Sequence, residues 1–86
     1  MMDTKENFWL NVNRYMHLNA IDAKLLAERV DSSSTVVKKL MHRKANFGIE
    51  SVYKYAKALE IQPIDLFEEW TDEEWEQVLD EKVEKK

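Results

Sequence analysis

The stretch LAERVDSSSTVVKKLMHRK, residues 26–44, decides the fold. Its apolar positions, Leu26 and Val30, then Val37, Leu40 and Met41, recur at helical spacing on either side of a polar interruption. Asp31 tolerates the left-handed backbone better than most non-glycine residues, so it is placed to end one helix. Ser32 and Ser33 suit the N-cap of the next, where a hydroxyl oxygen accepts a first-turn N–H. Two short amphipathic helices therefore meet at a tight turn, and Ala27 is small enough to let one cross the other closely. The second helix has an unusual polar face. No acid stands between Asp31 and Glu50, whereas three serines, Thr35, Lys38, Lys39, His42, Arg43 and Lys44 do.

Working outward, Asp3 and Glu6 have the spacing of a capping box for a first helix. Phe8, Trp9, Val12, Tyr15 and Met16 fall on one face of it, with Asn11, Asn13, Arg14 and His17 expected on the solvent side. Asn19 and Ala20 mark its exit, and Asp22 can cap the helix that carries Leu25 and Leu26. Downstream, RKANFG breaks the pattern. Gly48 can cap a fourth helix, Phe47 can staple onto Val52, and Ile49, Val52, Ala56 and Leu59 are expected to face inward. Pro63 occupies an N1-like position in a short fifth helix. TDEEWEQVLDEKVEKK follows, with Thr71 and Glu74 spaced as a capping box, acids in the first turn and lysines in the last, the order the helix dipole favours. Trp75, Val78, Leu79 and Val83 form its apolar stripe, preceded by Phe67 and Trp70.

One glycine and one proline in 86 residues leave little material for hairpin turns, which favours an all-α chain of six helices. There are no cysteines, so thiolate chemistry and disulfides are excluded. No apolar run reaches the roughly 18 residues of a membrane span, and the expected location is the cytoplasm. The net charge of −4 argues against a nucleic-acid partner, but it is unevenly spread. Residues 1–67 hold ten basic and eight acidic side chains, whereas residues 68–86 hold three basic and nine acidic. The expected division is a domain of residues 1–69 followed by an acidic amphipathic helix within residues 70–86.

The motif DAKLLAERVDSSSTVVKKL, together with YKYAKALEIQPIDLF, resembles the helix-turn-helix domain of phage Cro and repressor proteins, the xenobiotic-response-element family. The likeness spans residues 8–67. It implies a lambda-repressor-like bundle of five helices, here with an additional acidic C-terminal helix, whose third helix enters the DNA major groove. By the same resemblance Ala27 is the small residue of the second helix, and Val37 and Leu40 anchor the third. Ser33, Ser34, Thr35 and Lys39 stand where family members reach bases, and Lys38, His42 and Lys44 where they grip phosphates. The chain departs from the pattern at Asp31 and Arg43, where glycine is usual, at Ser32, usually apolar, and at Ala23, often polar. Met16 and Met41 stand where many members carry a buried Arg–Glu pair. Replacing both partners of such a pair by apolar side chains is often neutral or stabilising.

The residues themselves support the same site. Hydroxyls at a helix start can approach base edges or phosphates closely, Lys38 or Lys39 can donate to guanine O6 and N7, and Arg43 and Lys44 can hold the flanking backbone. Nothing pairs a nucleophile with a base, His17 and His42 lack metal-ligand spacing, and Glu68–Glu69 and Glu73–Glu74 read as solvated acids, so no catalytic, cofactor or metal site is expected. The expected function is a sequence-specific transcriptional regulator of the repressor kind, bacterial or phage-borne, bound to operator DNA as a homodimer, with Trp70, Trp75, Val78 and Leu79 as the dimer face. The competing expectation is an antitoxin-like or regulatory adaptor whose acidic, Trp-containing C-terminal segment binds a protein partner.

Overall fold

The computed structural model describes the backbone of residues 3–84 and the side chains of residues 3–81. It contains α1 (Thr4–Leu18), α2 (Ala23–Arg29), α3 (Ser34–Arg43), α4 (Ile49–Leu59), a 3-10 helix (Pro63–Phe67) and α5 (Asp72–Glu84). All regular structure among the described residues is helical, and the six elements match the six expected. The fifth is a 3-10 turn because Pro63 starts it and only five residues are available.

Phe8, Val12, Leu26, Val37, Leu59 and Leu66 are sealed from solvent and join α1, α2, α3, α4 and the 3-10 helix in one core. Each such burial stabilises the fold by about 1.5–3 kcal/mol. Aromatic rings extend the core: Phe47 stacks on Phe8 at 4.0 Å, and Tyr55 meets Trp9 edge-on at 5.3 Å. Burial holds the Tyr55 phenol above its ordinary pKa. Met16 and Met41 are both half-buried against this core, in place of the ion pair.

Four helices end in the same way. At the C-termini of α1 to α4, Ile21, Ser32, Ala45 and Ile61 donate N–H groups back to the carbonyls of Met16, Ala27, Leu40 and Ala56, at 2.8–3.0 Å. The preceding residues, Ala20, Asp31, Lys44 and Glu60, close the turn at φ of 54°, 58°, 52° and 63°. These are Schellman ends without glycine. Each places a Cβ in a region that is unfavourable by roughly 1–2 kcal/mol, outweighed by the carbonyls satisfied and the chain reversals made. The left-handed residue after α3 is Lys44, one position beyond the Arg43 expected to close it, and the single glycine, Gly48, has φ −101° as the N-cap of α4.

Three further expectations are corrected. Asp3 is the N-cap of α1 but makes no side-chain capping bond; its part in the first turn is its carbonyl, which accepts the Asn7 N–H at 2.9 Å. Ile49 is 72 % exposed. It lies on the side of Val52 and Ala56 but in the first turn of α4, where no element covers it. Asn11 and Arg14 are buried, not solvent-facing. Asn11 Nδ2 donates to the carbonyls of Leu66 (3.0 Å) and Glu68 (2.7 Å), and Asn7 Nδ2 donates to those of Phe67 (3.1 Å) and Glu68 (3.3 Å). The open end of the 3-10 helix would otherwise bury carbonyls without donors.

Arg14 lies over the Trp75 ring at 5.6 Å and reaches Asp72 at 3.4 Å, while Tyr15 meets Trp75 edge-on at 5.1 Å. Burial first, then the carboxylates of Asp65 and Glu68, raise the Tyr15 pKa. These contacts fold α5 back onto α1. Of the four residues expected on a dimer face, Trp75 is buried within its own chain, and Trp70, Val78 and Leu79 are half-buried against the core. The side chains of Lys82 and Val83, and Lys85 and Lys86, lie outside the described residues. The expected capping box of α5 is formed: Glu74 N donates to Thr71 Oγ1 at 3.1 Å and Thr71 N to Glu74 Oε1 at 2.9 Å.

Asn11→Ala is expected to destabilise the fold by about 2–3 kcal/mol, since it leaves buried carbonyls unpaired, whereas the exposed Asn13→Ala should change it by less than about 0.5 kcal/mol. Urea denaturation of the two variants tests this. The Thr71 N–H holds the Glu74 carboxyl below its ordinary pKa. A depressed carboxylate stabilises the folded state above its unfolded-state pKa and loses that contribution as pH falls through the folded value. Acidification through and below the usual carboxylate range should therefore fray α5, read as lost far-UV ellipticity, and Glu74→Gln should flatten that response.

Candidate nucleic-acid interface

α3 is fixed at both ends by local chemistry. Ser33 Oγ accepts the Val36 N–H at 3.2 Å and starts the helix, and the Ala45 N–H on the Leu40 carbonyl ends it. Trp9 Nε1 donates to the Ala45 carbonyl at 2.8 Å, tying the α3–α4 loop to α1. Val37, sealed at 0 % exposure, and half-buried Leu40 and Met41 hold the inner face, while Ala27, at 2 %, gives α2 and α3 room to pack.

Everything else on α3 faces outward. Thr35, Lys38, Lys39, His42 and Arg43 are exposed, as are Ser33 and Lys44 at its ends, and Ser34 is half-buried. A helix advances about 100° per residue, so Thr35, Lys39 and His42 form the outermost stripe, with Ser34 and Lys38 on one edge and Arg43 on the other. Of the eight residues expected to contact DNA, seven are exposed along α3 and at its two ends, Ser34 is half-buried, and Ser33 doubles as the cap. Among the described residues none of its cations is paired with a carboxylate: the two ion pairs belong to Arg14 and Arg29. Arg29 instead braces α2 against α4, donating to the Ala58 carbonyl at 2.7 Å and to Glu60 at 3.1 Å.

The sequence reading missed Val36. It is 46 % exposed and shares the Arg43 edge of the helix. The signal was present, because with Val37 pointing inward its neighbour must turn about 100° away. An apolar side chain there suits a thymine methyl group.

The acids of α5 stand elsewhere. Trp9, Leu10 and Asn13 on one side of α1 line a depression with Met41, His42 and Lys44. The opposite side of α1, with Asn11, Arg14 and Tyr15, carries the 3-10 helix and α5. α1 therefore separates the cationic helix from Asp72, Glu73, Glu74, Glu76, Asp80 and Glu81, all exposed to solvent. The first-turn N–H groups of Ser34 and Thr35, which have no intrahelical acceptor, add partial positive charge to the same end of α3. This surface can bind a polyanion and place short polar side chains at its base edges. Among the described residues no helix is long and apolar enough to cross a membrane, and no group of His, Cys, Asp or Glu is placed to hold a metal ion.

Comparison with curated proteins and with solved structures found no match. The family model for the Cro/C1-type HTH DNA-binding domain matches residues 11–72, from the buried Asn11 to the first residue of α5. Given its helix-turn-helix pair, the cationic outer face of the second helix and a family match over residues 11–72, the chain belongs to the Cro/C1-type helix-turn-helix DNA-binding proteins.

Proposed function

We propose that the protein is a cytoplasmic, repressor-like transcriptional regulator that binds operator DNA as a dimer, without catalysis or cofactor. Residues 1–69 form the DNA-binding unit and α3 lies in the major groove. Thr35, Lys39 and the half-buried Ser34 face base edges, Val36 meets a thymine methyl, and Lys38, His42, Arg43 and Lys44 hold phosphates. Ser33 contributes through its cap and its proximity to the backbone of the duplex.

The observation that carries this reading is the exposed, unpaired set of cations on α3, kept apart from the acidic helix by α1. An adaptor working through its tryptophans would need Trp75 available, and that ring is packed on Tyr15 and Arg14. The acidic surface of α5 then serves to repel DNA from the wrong face and so orient the docking.

Binding-site selection from random duplexes, followed by titration with the winning sequence, tests the proposal; failure to enrich any sequence would sink it. Affinity should fall steeply with salt, with a log–log slope of about −0.9 for each phosphate neutralised, and Arg43→Ala or Lys44→Ala should each make it shallower by about that amount. Lys39→Ala should relax discrimination at one base pair by about 1–3 kcal/mol, and a loss equal for all sequences would reassign Lys39 to a phosphate. Ser33→Ala is expected to lower stability by about 1 kcal/mol. Ser33→Asp keeps the cap, so its melting midpoint should hold while DNA affinity drops through repulsion of the phosphates.

A further inference from the structure

Two residues of the chain, His17 and His42, are of the one type whose charge ordinarily changes between pH 5 and 8. Their surroundings differ. His42 is exposed in the last turn of α3 and lines, with Met41, Lys44 and the α1 residues Trp9, Leu10 and Asn13, the depression between the two helices. Lys38 and Lys39 lie one turn before it and Arg43 directly after it. α1 brings no charge into the depression: along the stripe of Leu10 and Asn13 the next titratable residues are Glu6 and His17, one turn away on either side. α2 and α4 contribute nothing to its lining. Among the described residues His42 forms no ion pair with a carboxylate. His17, by contrast, shares its own depression with Asp22.

We infer that DNA binding is proton-linked through His42, so that the occupancy of a duplex rises as pH falls from 8 to 5.5. The inference rests on the reading of α3 as the DNA surface and adds a regulatory input to it. The cations around His42 draw phosphates to that end of the helix. A phosphate oxygen that accepts from a neutral imidazole makes an ordinary hydrogen bond; from an imidazolium it makes a charge-assisted one. The imidazolium also stands between that phosphate and the partial negative charge at the C-terminus of α3, which would otherwise repel it. The complex therefore holds the proton more tightly than the free chain does, and by linkage the proton strengthens the complex by the same factor. The bound state carries the extra proton, so affinity rises with acidification through the histidine range and levels off beyond it. Exchanging one neutral bond for a charge-assisted one corresponds to roughly tenfold in affinity. The whole interval lies above the ordinary carboxylate range, so the acids of α5 keep their charge throughout.

The test is a binding titration of the full 86-residue chain at pH 5.5, 6.5 and 8, each over a series of salt concentrations, beside His42→Gln, His42→Arg and His17→Gln. Both histidines are exposed, so the circular dichroism spectrum of each variant should match the wild type. A duplex enriched by selection and a random-sequence duplex are both used, because phosphate contacts do not depend on sequence. The wild type should bind roughly tenfold more tightly at pH 5.5 than at pH 8, and its log–log salt slope should be steeper by about 0.9 at the lower pH, one more phosphate being neutralised there. His42→Gln should remove the pH response and keep the shallower slope throughout, His42→Arg should remove it and keep the steeper one, and His17→Gln should respond as the wild type does. With two histidines in the chain, proton NMR resolves each ring, and that of His42 should remain an imidazolium to higher pH on DNA than off it. A wild-type pH response no larger than that of His42→Gln, or one lost only in His17→Gln, would overturn the inference. A flat response on an enriched duplex removes the inference and leaves the operator reading standing. A His42-dependent response on random duplex with no sequence enriched does the reverse, and no binding to either duplex removes both.

Discussion

The amide of Asn11, fully enclosed, donates both hydrogens to the last carbonyls of a 3-10 helix more than fifty residues away in sequence. The rest of the architecture depends on that bond pair and its neighbour at Asn7. A short 3-10 helix cannot satisfy its own end, and water cannot reach it once Leu66 is buried. By supplying the donors, α1 fixes where the chain leaves the five-element core, and therefore where α5 starts. Everything acidic in the last quarter of the molecule is positioned from there.

That position resolves the conflict between a negative protein and a polyanionic partner. Coulombic interaction between exposed groups fades over about 8–10 Å at physiological salt. A duplex lying along α3 would therefore meet the local charge of that helix and not the sum over the chain. With α1 interposed, the carboxylates of α5 act at the far side, while among the described residues Lys38, Lys39, Arg43 and Lys44 form no ion pair with a carboxylate. The Arg14–Asp72 contact adds little to this: at 3.4 Å, with Asp72 wholly exposed, it is a weak pair, and the ring packing of Tyr15, Arg14 and Trp75 holds the helix.

Chain reversal by backbone closure, without glycine, is the second organising feature. Four successive helices end on the same bond pattern with Ala20, Asp31, Lys44 and Glu60 in the left-handed region. Only Asp31 carried a legible signal, since short polar side chains visit that region more readily. The other three look like ordinary helix or loop residues. Their conformation follows from what comes next: Ile21, Ala45 and Ile61 must return to the core, and the tight turn is the shortest way back.

Local periodicity, caps and charge order were enough to determine the helices, the turn at Asp31, the Ser33 cap, the Thr71–Glu74 box and the outward placement of Lys39, because each depends on residues within one or two turns of the chain. Tertiary structure alone decided the burial of Asn11 and Arg14, the exposure of Ile49 and the fate of Trp75. A polar residue beside an apolar stripe reads as solvent-facing until a distant carbonyl lies against it, and an apolar residue reads as core until the covering element proves to be missing. Pairing between segments remote in sequence leaves no periodic trace. The cationic face of α3 was therefore legible from residues 33–44, whereas the wall between it and the acids of α5, and the exposed groove at Ile49 and Ile64, emerged only from the packed chain.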